Sequence, residues 1–179
     1  MTFSSDAGPD RGQQTIVANG GHAWVVVLGS VTYARGDLKG LTGFFQFPPG
    51  AAQMLQGRWL AYTSTFPGYQ EVTNGVTLAS ALSEISLTGP LTKLAPTIVN
   101  GQRVIGIRGV VSPTAGAPAG TRATVYVSLT GAPLPVRYES VTAAGSVRAD
   151  FSAWSKPLAI RAPLGAVPLA GLLAGTSNA

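Results

Sequence analysis

Val125-Tyr126-Val127-Ser128-Leu129 leads through Gly131 into Leu134-Pro135-Val136-Arg137-Tyr138-Glu139, and Val147-Arg148-Ala149-Asp150-Phe151-Ser152-Ala153-Trp154-Ser155-Lys156-Pro157 follows after a polar gap. The alternation puts Ala123, Val125, Val127 and Leu129 on one face and Thr124, Tyr126 and Ser128 on the other. Period-two runs joined by tight turns are strands with one buried and one wetter face, the pattern of an antiparallel sheet. Strands are predicted at 92–99, 102–112, 121–130, 134–142, 145–152 and 156–161, with Asn100-Gly101 as a hairpin turn.

The first half reads differently. Residues 1–13 are polar and broken by Gly8-Pro9-Asp10, so a flexible start is expected. Gln14 to Ala18 and His22 to Leu28 read as strands joined at Asn19-Gly20-Gly21, and Val31 to Arg35 as a further short strand. Residues 37–88 form a helical insert with pieces at Leu38 to Phe45, Ala51 to Gln56 and Leu78 to Ile85. The last has Thr77 as N-cap and apolar Leu78, Ala81, Leu82 and Ile85 at helical spacing. Arg58 to Tyr62 reads as extended. Residues 91–162 carry the antiparallel strands and 163–179 a Pro/Gly/Ala tail. Together these predict one α+β domain over 1–179: a large antiparallel sheet covered on one side by short helices.

Composition narrows the function classes. Of 179 residues 45% are hydrophobic and only 11% charged, against roughly 25% charged in ordinary domains, so a folded chain with a neutral surface is expected. The net charge of +5 is dispersed over isolated residues such as Arg103, Arg108, Arg122, Arg137, Arg148 and Arg161. No basic stripe exists, which argues against a nucleic-acid partner. Dispersed charge is first explained by solubility alone, and it suits contact with an anionic membrane surface better than a nucleic-acid face. Cysteine is absent, which excludes disulfides and thiol chemistry. No secretory leader is visible at Met1-Thr2-Phe3-Ser4-Ser5, and the longest apolar stretch, Ala162 to Ala174, is broken by Pro163 and Pro168.

Catalytic patterns are scarce. The single histidine, His22, lies beside a glycine turn, and no Gly-x-Ser-x-Gly elbow offers it a nucleophile. The seven carboxylates are scattered, with only Asp6 and Asp10 close together. Neither phosphate-loop pattern nor a metal-ligand cluster is present. A protein that is not an enzyme, with no cofactor and no metal, is the expectation.

The insert holds half of the aromatic residues, seven of them within residues 44–69. Leu41, Phe44, Phe45, Phe47, Met54, Leu55, Trp59 and Tyr62 are the candidate ligand-lining residues, with Phe66 and Tyr69 beyond them. Such residues pack an ordinary core between helices and sheet, or line an apolar cavity, where adaptable Met and Phe accept varied ligand shapes. Burying an acyl chain stabilises by about 0.8 kcal/mol per CH₂, so a dry cavity alone suffices for a lipid carrier.

Several segments in order resemble the LolA-like envelope lipoproteins of actinobacteria, the group of the LppX/LprG type. They are Val31-Thr32-Tyr33-Ala34-Arg35-Gly36-Asp37, Ala51-Ala52-Gln53-Met54-Leu55-Gln56-Gly57-Arg58-Trp59-Leu60, Gln102-Arg103-Val104-Ile105-Gly106-Ile107-Arg108-Gly109, Leu134-Pro135-Val136-Arg137-Tyr138 and Phe151-Ser152-Ala153-Trp154-Ser155-Lys156-Pro157. The resemblance covers roughly residues 13–162. It implies a curved antiparallel half-barrel with helices on its concave face and a hydrophobic cavity between them. It also implies an acyl lipid or glycolipid as partner, and a place in the cell envelope at the outer face of the cytoplasmic membrane. Met1 falls at about the second strand of the family pattern, ahead of which the family carries a signal peptide and lipobox cysteine. That reads as a misassigned start or a truncated copy. An envelope structural or interaction domain with the same fold and a filled core is the alternative.

Overall fold

The computed structural model describes residues 2–66, 69–112, 118–142 and 145–169. The protein is mostly β, with short helices beside two largely antiparallel sheets. Contacts gather the chain into two compact units: residues up to Ala81 together with those from Leu158 onward, and Leu82–Pro157. No linker composition marks the first crossing, because it falls inside a helix, Leu78–Glu84.

In the first unit β1 (Thr2–Ala7), β2 (Arg11–Ala18), β3 (Gly21–Leu28), β4 (Val31–Gly36) and β5 (Leu60–Thr63) form an antiparallel meander. β1 corrects the expectation of a flexible start. Its residues are exposed on both faces, so it carries no hydrophobic alternation, and pairing with β2 alone orders it. The β2–β3 turn is the Asn19-Gly20 hairpin, with φ of 52° and 74°, the left-handed pair that a type I′ turn needs.

One face of this sheet is apolar. Ala23, Val25 and Val27 of β3 stand opposite Gly36, Ala34 and Thr32 of β4, and Ala34 and Thr32 stand opposite Leu60 and Tyr62 of β5. Among the described residues α1 (Leu38–Gly43), α2 (Pro49–Leu55) and α3 (Tyr69–Thr73) lie wholly in this unit. From α1 and α2, buried Leu41, Ala52 and Leu55 pack on Ala34, Leu60 and Tyr62. Val76 packs on Val25 and Val27.

α1 is seated very close to β3. Asp37 caps the helix, its Oδ1 accepting from Gly40 N at 2.7 Å, while its Oδ2 accepts from His22 N at 3.0 Å. A Cβ on Gly40 would collide with the His22 carbonyl oxygen, and one on Gly21 would come within 2.9 Å of the Lys39 and Gly40 backbone. Glycine is required at both positions by this approach.

α4 (Leu78–Glu84) follows Thr77, whose Oγ1 accepts from Ser80 N at 3.5 Å while Thr77 N donates to Ser80 Oγ at 3.2 Å. This is the predicted cap, in its reciprocal form. In the second unit β6 (Leu87–Val99), β7 (Gln102–Val111), β8 (Arg122–Ser128), β9 (Pro135–Thr142) and β10 (Gly145–Asp150) make a second antiparallel sheet. Leu82 and Ile85 pack with Leu87, Val111, Ala123, Val125, Tyr138 and Phe151 on one face. The other face is not simply wet. Thr124 is buried and accepts from Arg108 Nε at 3.4 Å, and Tyr126 packs on Val99, Val104 and Val136. Leu129 lies past the strand end and is exposed.

Among the described residues the strands therefore lie in two sheets, of six and five strands, rather than one. The strand expected at 156–161 is absent: residues 151–166 are irregular, with positive φ at Ala153 (59°) and Ser155 (62°) breaking the extended run. Within the expected tail β11 (Val167–Pro168) adds in parallel to β5, and Leu169 is buried; residues 170–179 lie outside the described residues. Among the described residues no helix is long and apolar enough to cross a membrane.

Two variants test the seating of α1. Asp37→Ala is expected to lower the urea-unfolding free energy by about 1–2 kcal/mol, through lost capping. Gly40→Ala should cost more, about 3 kcal/mol, because backbone must move. Equal, near-zero losses would show that the helix is not held there.

Candidate functional site

The eight candidate residues divide by position. Leu41, Leu55 and Tyr62 are buried in one cluster with Ala34, Ala52, Leu60 and Leu169. Phe45 and Phe47 pack on that cluster half-buried, as do Phe66, Tyr69 and Val72. Phe45 also touches the Val25–Val27–Val76 group, so it spans two patches of the apolar face. Phe44, Met54 and Trp59 stand apart. Met54 is 68% exposed: α2 turns Ala52 and Leu55, three apart, toward the sheet, and their neighbour points away. Phe44 ends α1 and borders a shallow 240 Å³ groove with Lys39, Thr42 and Asn19. Trp59 is half-buried, and its carbonyl accepts from Val167 N at 2.9 Å, which holds β11 in place.

Inside this layer Tyr62 meets Phe66 edge-to-face, ring centroids 5.4 Å apart. Burial pushes the Tyr62 phenol well above its ordinary range, so it stays protonated. Neither Tyr62 Oη nor Thr32 Oγ1 has a hydrogen-bond partner among the described residues. Thr32 was invisible in the sequence, because a threonine within a strand is ordinary.

The second unit carries a groove of about 570 Å³ lined by Arg103, Ser128, Leu134, Phe151 and Trp154, among others. Trp154 Nε1 donates to the Pro135 carbonyl at 2.9 Å, and its ring lies 6.3 Å from Phe151 at 25°. Beside it is a polar network. Arg137 Nε donates to Asp150 Oδ1 at 2.6 Å, Arg148 Nε to Asp150 Oδ2 at 3.1 Å, and Asn100 Nδ2 to Asp150 Oδ1 at 3.0 Å. Burial alone would raise the Asp150 carboxyl, but hydrogen bonds from Arg137 and Asn100 and the two arginine charges outweigh it and hold it below its ordinary value.

On the outer face of the first sheet the His22 ring stacks on Trp24 at 6.0 Å, and the Arg35 guanidinium lies 5.4 Å over the same indole. Among the described residues no group of three His, Cys, Asp or Glu gathers to hold a metal. What the geometry can do chemically is bury apolar surface and offer neutral hydroxyls to it. No protein-family model and no curated protein matches the chain.

The Asp150 network has a testable pH signature. A carboxyl that titrates lower when folded contributes fully above about pH 5, and that contribution is lost as pH falls through the folded value. Asp150→Asn should flatten this acid-side loss. With the carboxylate 40% exposed, solvent screening keeps the difference under about 1 kcal/mol. Parallel acid-unfolding curves for both proteins would refute the assignment.

Proposed function

We propose that the chain is a non-enzymatic lipid-binding or carrier protein of the bacterial cell envelope, holding acyl chains against the helix-covered face of its first sheet. The observation that carries this reading is the half-buried aromatic layer. Phe45, Phe47, Phe66 and Tyr69 rest on a sheet face of valine, alanine and leucine without being sealed into it. α1, α2 and α3 span six, seven and five residues, too short to be stable apart from their packing, so separating them from the sheet breaks few backbone bonds. An acyl chain replaces the apolar contacts that separation removes.

The resemblance to LolA-like actinobacterial lipoproteins of the LppX/LprG type is part of the proposal. So are the curved half-barrel with helices on its concave face, and a location at the outer face of the cytoplasmic membrane. The partner on this reading is an acyl lipid or glycolipid, and the membrane surface is where it is exchanged. A second reading is an envelope structural or interaction domain with a filled core. It is favoured by Leu41, Ala34, Ala52 and Leu60, all at 0% exposure.

Native mass spectrometry and organic extraction of the purified protein separate the two. Co-purified acyl lipid, or uptake of a fluorescent fatty acid after delipidation, supports the carrier. A clean spectrum with no uptake supports the filled core. Phe45→Ala sharpens the comparison. On the carrier reading it alters uptake and costs under about 3 kcal/mol. A filled core predicts about 3–5 kcal/mol with uptake unaffected.

A further inference from the structure

The unpartnered hydroxyls of Thr32 and Tyr62 extend that reading from the acyl chain to the group at its end. The two residues are direct partners in the β4–β5 register, so their side chains leave the sheet side by side on the helix-covered face. Thr32 is 0% exposed and Tyr62 3%. Buried hydroxyls are normally hydrogen-bonded, and an unmet one is costly. Here two occur together, one belonging to a cluster otherwise built of alanine, leucine and aromatic carbon.

The chemistry of a matching group follows from what surrounds them. Both hydroxyls can donate, and the buried phenol keeps its proton. The side chains packed with Tyr62 are alanine, leucine and aromatic, and the buried Nε of Arg35 lies over Trp24 on the other face of the sheet, so an anionic or cationic headgroup placed here would lose its water without gaining a counter-charge. An uncharged oxygen acceptor satisfies a buried hydroxyl donor at no such cost. We propose that Thr32 Oγ1 and Tyr62 Oη form a binding site for the carbonyl oxygen of an acyl ester, which fixes the depth at which the chain enters the layer. This rests on the acyl-lipid reading of the same face.

The test equilibrates delipidated full-length chain with radiolabelled methyl dodecanoate or dodecane and counts the bound fraction, with dodecyl phosphate as competitor. Wild type should bind the ester about tenfold more tightly than the alkane, the worth of about one net hydrogen bond. Dodecyl phosphate should compete poorly. Tyr62→Phe and Thr32→Val should each lose the ester preference while still binding dodecane. Free of ligand, both should melt at or above the wild-type temperature, since each removes an unmet polar atom. Equal binding of ester and alkane by wild type overturns the site, as does an ester preference that survives in both variants. So does lower melting of both delipidated variants, which would assign the hydroxyls to a structural water. If wild type binds neither ligand, the acyl-lipid reading fails and the ester site with it, an outcome distinct from alkane binding without ester preference.

Discussion

The seating of α1 on β3 is the contact on which the inner layer of the first unit depends. One carboxylate, Asp37, holds both partners: it caps the helix through Gly40 N and binds the strand through His22 N. The Asp37 amide donates in turn to the His22 carbonyl at 3.1 Å. Glycine at positions 21 and 40 lets the two backbones meet with no side chain between them. That spacing presses Leu41 onto Ala34 and Leu60, and the chain leaving α1 then lays Phe45 and Phe47 over the same face. A wider gap would leave Leu41 without partners on one side, and a void of that kind forfeits contact energy outright.

The two units hold their structure by different means. In the first, short helices lean on a sheet and take nearly all their stability from that contact. In the second, the sheet carries clusters on both faces, and an exposed polar network of Arg137, Asp150, Arg148 and Asn100 bridges a hairpin turn and two strands. Local opening is cheapest where few backbone hydrogen bonds and small helices cover a sheet. On the proposed function that is also where a ligand must enter.

Much of this was legible in the residues. Asn19-Gly20 and Asn100-Gly101 both adopt positive φ at each position, as hairpin turns of that composition must. Thr77 caps its helix, and the run from Ala123 to Val127 is a strand. What escaped was set by distant partners. β1 shows no alternation because neither face is buried. β6 begins five residues before the strand expected at 92–99, because bulges between Thr88 and Thr92 and between Lys93 and Pro96 carry the ladder past Pro90 and Pro96. The parting of the strands into two sheets has no local signal at all. In the candidate site, Leu41, Leu55 and Tyr62 were readable as apolar residues at helix or strand spacing. Met54 points outward and Thr32 inward for reasons that only the packed neighbours supply.

Hydrogen exchange tests the central claim most directly: the helices over the first sheet form a cover that an acyl ligand stabilises. Amides of Leu41, Ala52 and Leu55 should exchange well before those of Val25, Val27 and Ala34 in delipidated protein, and should slow when methyl dodecanoate is added while the strand amides stay unchanged. Helix amides that exchange as slowly as the strands, with no response to ligand, would contradict the account.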